Sequence, residues 1–156
     1  SSYQAIKDLN PNINVIQSIT RINSDNAIDL IGQANIVVDA SDNSSTRYVL
    51  NDACIKMNIP LVSGSAVGLE GQITVIKPFV SPCYRCLYPV ASVIDSCRSC
   101  DNAGILGPVA GMIGCLEAIE AIKLLTNISN EFKPLIGKQL FYDGLTSECH
   151  LFELPP

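Results

Sequence analysis

The sequence predicts an α/β fold, a parallel sheet carrying an antiparallel extension, on three observations. Ile36, Val37 and Val38 form a short β-branched run, apolar on both faces, as a strand covered by helices on both sides reads. A helical pattern follows that run at once and another strand follows the helix. Residues 13–63 thus alternate β-α-β-α-β, which implies parallel strands joined by right-handed crossovers. After Gly64 the spacing changes to the strict alternation Gln72-Ile73-Thr74-Val75-Ile76-Lys77, the period-two pattern of an antiparallel strand.

Taken in order, residues 5–9 read as the end of a helix stopped by Asn10-Pro11. Residues 13–19 alternate polar and apolar side chains, as a strand near a sheet edge does. Residues 25–33 make a short helix with Ala27, Ile28, Leu30 and Ile31 as its apolar positions and Ser24 or Asp25 as its cap. Residues 36–38 are the central strand. The following helix runs to about residue 57, and Asp42, Asn43 or Ser44 can cap it, because their short side chains accept from its unpaired first amides. A tight Asn58-Ile59-Pro60 link leads to a strand at residues 60–63.

A long apolar helix spans residues 106–125. Glu117, Glu120 and Lys123 lie three apart on it and predict one polar stripe on an otherwise buried cylinder. Its charges and glycines argue against a membrane span. Gly104, Gly107, Gly111 and Gly114 predict close approach of its first half to another backbone. Residues 140–145 and 150–154 read as a final pair of strands. There is no internal repeat and no low-complexity linker, so residues 1–156 read as a single domain.

Length and composition agree. A chain of 156 residues is about one domain and long enough to bury one core. With 47% hydrophobic and 16% charged residues, disorder is excluded. A formal charge of −5 gives no electrostatic reason to expect nucleic acid or an anionic membrane as partner. The chain opens on polar Ser1-Ser2-Tyr3 with no visible signal peptide, which predicts a cytoplasmic protein. Seven cysteines, four of them in two Cys-x-x-Cys pairs, point to metal or thiol chemistry in a reducing compartment.

The polar cluster Asp39-Ala40-Ser41-Asp42-Asn43 sits at the carboxyl end of the central strand, where open α/β sheets bind their ligands. Asn43, Arg47 and Asn51 are four apart and share one helix face. Two readings stand side by side: a ligand site, or two helix-capping residues beside a solvated arginine. A Gly-rich turn between a first strand and a helix, the usual phosphate cradle, is not found. The glycines from Gly104 to Gly114 have no strand leading into them and read as helix packing.

Cys83-x-x-Cys86 and Cys97-x-x-Cys100 have the spacing of a four-thiolate zinc site; free thiols are the alternative. Cys97 and Cys100 carry another, because helix-end amides just beyond them favour a thiolate nucleophile. Cys54 and Cys115 fall on helices among apolar residues and read as core. Cys149 has no partner in view, and His150, the only histidine, reads as structural.

Several motifs then carry a resemblance over nearly the whole chain. Val38-Asp39-Ala40-Ser41-Asp42-Asn43 with Arg47 and Asn51, and Pro60-Leu61-Val62-Ser63-Gly64-Ser65-Ala66, resemble the MoeB/ThiF family of adenylyltransferases. Glu70-Gly71-Gln72-Ile73-Thr74-Val75, Pro82-Cys83-Tyr84-Arg85-Cys86-Leu87 and Ala103-Gly104-Ile105-Leu106-Gly107-Pro108-Val109 continue it in the same order. The Cys100 segment is most similar to the eukaryotic sulfurtransferase and thiamine-pathway types. The resemblance implies a Rossmann-like sheet, incomplete here because the family's amino-terminal phosphate loop, ribose-binding acid and basic residues have no counterpart. The family's carboxyl-terminal Cys-x-x-Cys and a rhodanese-like domain are not matched either, so the resemblance implies a fragment of such an enzyme.

It also implies an activity: ATP-dependent adenylation of the C-terminal glycine of a ubiquitin-like or sulfur-carrier protein, then transfer to a cysteine as thioester or acyl-persulfide. Asp42 matches the acid that holds Mg²⁺ and the nucleotide phosphates, Asn43 belongs to the same nucleotide contact, and Arg47 and Asn51 support it. Cys83 and Cys86 match the first two Zn²⁺ ligands. The other two come from beyond residue 156 in the family, with Cys97 and Cys100 as substitutes here. Cys100 matches the mobile-loop cysteine that accepts the activated carboxyl terminus. The implied partners are a ubiquitin-fold protein and a second copy of the enzyme, with no nucleic acid or membrane. A zinc-stabilised interaction module without catalysis is the competing function. The back half of a dehydrogenase is disfavoured, because the cysteine motifs have no role in it.

Overall fold

A computed structural model describes residues 2–89, 104–126 and 131–155. Its five-stranded sheet runs β1 (Val37–Asp39), β2 (Leu61–Val67), β3 (Glu70–Ile76), β4 (Lys138–Asp143) and β5 (Glu148–Glu153), in that spatial order. β1 pairs parallel with β2, Val37 opposite Leu61 and Asp39 opposite Ser63. Every other pairing is antiparallel. The parallel pair with its antiparallel extension is the fold class the sequence predicts.

α3 (Ser44–Met57) joins the parallel pair. It starts where the Asn43 side chain accepts from the Thr46 amide and ends at Asn58, whose left-handed backbone (φ +54°) lets its N–H return to Cys54 and Ile55. Two cores form, one on each face of β2 and β3. α3, the link after it and the short α2 (Ala27–Ile31) pack Ala27, Ile31, Leu50, Ala53, Cys54 and Ile59 on Leu61 and Ile76. On the other face Val62, Ile73 and Val75 meet Val109 and Ile113 of α5 (Gly107–Leu125). Leu61 and Val62 enter opposite cores because neighbouring strand residues point to opposite faces.

The strands buried on both faces are therefore β2 and β3. The run at residues 36–38 lies at the sheet's edge among the described residues, with Val38 45% exposed. Residues 13–19 form no strand: no neighbour pairs with them, and Ile16 and Ile19 are 85% and 98% exposed. Alternation marks a strand only where a second chain accepts its ladder. α1 (Ser2–Leu9) buries none of its residues. At α2 neither Ser24 nor Asp25 caps; the Asn23 side chain accepts from the Asp25 and Asn26 amides at 2.9 and 3.1 Å.

α5 departs furthest from expectation, because its polar stripe faces inward. Glu117 and Glu120 are 5% and 4% exposed, whereas Ile119, Ile122 and Leu125 are 41–55% exposed. Glu120 is buried with partners, Lys123 Nζ at 2.6 Å and the Leu135 amide at 2.8 Å, which is the condition for burying a charge. The helix's glycines do not mediate close packing: a Cβ added at Gly104, Gly107, Gly111 or Gly114 meets no atom within 4 Å. The close approaches belong to the strands opposite. A Cβ on Gly64 would stand 2.4 Å from the Glu117 carboxyl carbon, and one on Gly71 2.5 Å from the Ile113 side chain. The start of α5 is sewn to the β2–β3 turn by Gly68 N–H to Gly104 O and Leu106 N–H to Gly68 O, both 2.9 Å. Among the described residues no helix is long and apolar enough to cross a membrane.

Candidate functional site

The site grows from the carboxyl end of β1. Asp39, 1% exposed, accepts from the Ser41 amide at 2.9 Å and from Ser63 Oγ at 3.3 Å. Arg47 comes in from α3, one turn beyond the Asn43 cap, and donates to Ser63 Oγ at 3.2 Å and to the Ser41 carbonyl at 2.6 Å. It is buried, so the reading of a solvated arginine does not hold. The register of β1 on β2 sets Asp39 opposite Ser63, and a serine hydroxyl there can join acid to base.

Asp42 and Asn43 sit at the open mouth. Asn43 caps α3 and also donates from Nδ2 to Asp42 Oδ1 at 3.0 Å. That hydrogen bond, then the backbone amide of Asp42 and the charge of Arg47, hold the Asp42 carboxyl below its ordinary value. Asp42 is exposed and ionised at neutral pH, the state in which a carboxylate binds a hard divalent cation. A cavity of about 200 Å³ opens beside it, walled by Ser41, Arg47, Gly64, Ser65 and Glu117, with Ile105 and Ile113 as apolar lining.

Glu117 is the residue the sequence reading missed. Burial pushes its carboxyl up to about 7, the charge of Asp39 adds to that, and the Gly64 amide and Arg47 pull the other way. Among the described residues its Oε1 and the Ser41 Oγ are buried without a hydrogen-bond partner. The signal in the sequence was faint: a glutamate inside an apolar helix, and a glycine in a strand that could admit it.

Asn51, on the same helix face as Arg47, does a different job. It is 1% exposed; its Oδ1 accepts from the Tyr84 amide at 2.8 Å and its Nδ2 donates to Asp52 at 3.2 Å. Tyr84 opens the one-turn helix α4 (Tyr84–Leu87) of the Cys83–Cys86 knuckle. Arg85 forks onto Asp52 with two contacts of 2.6 Å and stacks over the Tyr48 ring at 4.8 Å, and Tyr48 meets Tyr84 edge-on at 4.9 Å. α3 thus holds the cavity with one turn and the knuckle with the next.

Cys83 and Cys86 bring their sulfurs to 3.4 Å. Burial raises the Cys83 thiol, but hydrogen bonds from the Cys86 amide and thiol and the Arg85 amide outweigh it and leave the thiol below its ordinary value. Two thiolates on one tetrahedral zinc, each about 2.3 Å from it, lie roughly 3.8 Å apart, so the pair fits two of four positions. Among the described residues no three ligating side chains cluster. Cys97 and Cys100 lie outside the described residues. Cys54 is core, its thiol pushed up to about 12 by burial and by Asp39. Cys115 is exposed rather than buried, because it rides the outer face of α5, and Cys149 is exposed on β5. His150 is half exposed, 3.4 Å from Glu148.

A carboxylate, a buried arginine and a cavity at the carboxyl end of a parallel strand stand where open α/β sheets bind their ligands. The ThiF family model matches residues 1–156, and the chain belongs to the ThiF family. It is 42% identical over 154 residues to adenylyltransferase and sulfurtransferase MOCS3-1 of Zea mays, covering 99% of this chain and 32% of the relative. With the adenylyltransferase and sulfurtransferase MOCS3 of Dictyostelium discoideum it is 45% identical over 144 residues, covering 92% of this chain and 33% of the relative. The chain thus spans about a third of the length of these curated relatives. Its fold is similar to that of Escherichia coli MccB crystallised with ATP, at a TM-score of 0.80 and 20% identity over 97% of this chain and 46% of that one.

Proposed function

We propose that this chain is part of an ATP-dependent adenylyltransferase that activates the C-terminal glycine of a ubiquitin-like or sulfur-carrier protein. The observation that carries the proposal is the ionised, exposed Asp42 at the mouth of the Arg47 cavity, in a chain 42% identical to a named adenylyltransferase and sulfurtransferase. Attack of the glycine carboxylate on the α-phosphorus of ATP forms an acyl adenylate and releases pyrophosphate. The step demands alignment and charge neutralisation and needs no general base, since the nucleophile is already an anion. Asp42 would hold Mg²⁺, which would supply charge neutralisation to the phosphates, and Asn43 orients Asp42. In the second step the Cys100 thiolate attacks the adenylate carbonyl and AMP leaves, giving a thioester; a persulfide on the same cysteine gives the acyl-persulfide. Residues 1–156 act in this scheme as one unit of a homodimeric cytoplasmic enzyme, with α3 as the brace between cavity and knuckle.

In the intact protein, Asp42→Ala is expected to lower partner-dependent pyrophosphate exchange by about 100-fold or more, as loss of a main electrostatic group does. Cys100→Ala should leave the exchange near the parent rate and abolish the thioester or persulfide. Undiminished exchange in Asp42→Ala overturns the role of the acid. Normal sulfur delivery by Cys100→Ala assigns the transfer to Cys97 or to no cysteine of that segment.

Cys83 and Cys86 supply two thiolates to a structural Zn²⁺ in the same reading, with the remaining ligands from Cys97 and Cys100 or from beyond residue 156. Cys83→Ser is expected to reduce bound zinc from about one equivalent to well below half and to lower the melting temperature, since structural zinc contributes folding energy outright. Unchanged zinc by elemental analysis means the metal is held elsewhere or not at all.

A further inference from the structure

The Asp42 cavity has a second wall that none of the residues matched to the family includes. Glu117 reaches it from α5, on the opposite side from α3. It is 95% buried by its 5% exposure, lines the cavity with Ser41, Asp42 and Arg47, and leaves Oε1 without a partner. The space its carboxyl occupies exists because residue 64 has no side chain, since a Cβ there would meet the carboxyl carbon at 2.4 Å. An unpaired buried oxygen carries a desolvation cost, and the site recovers that cost if the carboxyl turns to bond an occupant of the cavity it lines.

We propose that Glu117 is a positioning residue of the Asp42 site, whose protonated carboxyl donates a hydrogen bond to an anionic oxygen of the bound nucleotide, a phosphate oxygen above all. The inference rests on the nucleotide reading of Asp42 and extends it to the α5 wall. The surrounding charges favour the acid form. From β1, the charge of Asp39 faces Glu117; from α3, Arg47 is the one cation among the described residues that bears on it, and Ser41 and Ser63 already occupy it. β2 offers only the Gly64 amide and the hydroxyls of Ser63 and Ser65. On α5 itself Glu120 is taken up by Lys123 and the Leu135 amide. A second anion arriving here is tolerated only if Glu117 keeps its proton. With the carboxyl standing at about 7 before the ligand arrives, binding holds the proton on and draws one from solution.

The test is calorimetric titration of Mg·ATP into the intact protein, repeated in buffers of different ionisation enthalpy. The parent protein is expected to take up about three-quarters of a proton near about pH 7.5, approaching one at higher pH, and its affinity to fall about tenfold per pH unit above the carboxyl's own value. Glu117→Gln, which keeps the shape and a donor but has no proton to gain, should bind with no proton uptake and a flat profile. Glu117→Leu, neutral but unable to donate, should bind about tenfold more weakly than Glu117→Gln at every pH, a hydrogen-bond-sized loss, with a cooperative melt showing that it is folded. Equal proton uptake by the parent and Glu117→Gln, or full affinity in Glu117→Leu, overturns the role of Glu117 while leaving nucleotide binding in place. A parent protein that does not bind Mg·ATP overturns the nucleotide reading, and this inference with it.

Discussion

Arg47→Met is expected to destabilise the fold by about 3–5 kcal/mol, the range for stripping one partner from a buried charge network. Arg47 is 8% exposed and holds two hydrogen bonds, to the Ser41 carbonyl at 2.6 Å and to Ser63 Oγ at 3.2 Å. Ser63 in turn donates to the carboxylate of Asp39, 1% exposed. Methionine fills most of the volume, so the loss is electrostatic: Asp39 keeps its charge with no cation near, and the Ser41 carbonyl loses its donor. For a domain of this size each kcal/mol moves the melting temperature by about 2–4 °C, so the shift is roughly 6–20 °C. Asp42→Asn supplies the comparison. Asp42 is exposed and spends no burial energy, so its variant should melt within about 2 °C of the parent, as surface changes of under 0.5 kcal/mol do. Differential scanning calorimetry of the two separates a framework residue from a mouth residue. A parent-like melt for Arg47→Met would show that the network bears little of the fold.

The split between Arg47 and Asp42 was half legible in the sequence. The i, i+4 spacing of Asn43, Arg47 and Asn51 put them on one face, and the structure keeps them there, but spacing says nothing of what a face meets. Arg47 turns toward Ser63 and the cavity, while Asn51, one turn on, meets the Tyr84 amide of the knuckle. Both partners lie far off in sequence, 16 and 33 residues away, beyond any local pattern. The α/β class, the position of β2 and β3 and the closing strand pair were legible because alternation and strand-to-helix switching are local. Which strand lies in the middle was not. Residues 36–38 read as the strand covered on both faces, and only the packing of α5 on β2 and β3 shows that burial on both faces falls there instead.

α5 shows why periodicity misleads where charge is buried. Glu117, Glu120 and Lys123 recur at helix spacing, and a polar stripe ordinarily faces water. Here Glu120 is satisfied from within, by Lys123 and the Leu135 amide, while Glu117 is accommodated in the space above Gly64. The apolar residues Ile119, Ile122 and Leu125 are left half exposed. The glycines that matter for this packing lie in β2 and β3 rather than in the helix, so a search of the helix alone could not find them.

Glu117→Gln is expected to stabilise the ligand-free protein at alkaline pH and to leave it unchanged in acid. Its carboxyl stands at about 7 in the fold against an ordinary value of 4.5. Below 4.5 the group is neutral in both folded and unfolded chains and costs nothing. Between 4.5 and 7 the unfolded chain releases the proton and the folded chain retains it, so stability is lost as pH rises through this window. Above it both forms are charged, and the penalty stays at its full value of roughly 3 kcal/mol. Glutamine fits the same space beside Gly64 and carries no charge at any pH. Relative to the parent its melting temperature should therefore rise by about 6–12 °C at about pH 8, with the difference shrinking to nothing near about pH 4.5. Melts of both proteins across that range read the effect without ligand. A difference that does not vary with pH would mean that Glu117 titrates like an exposed acid, and that its burial behind Gly64 does not hold the proton.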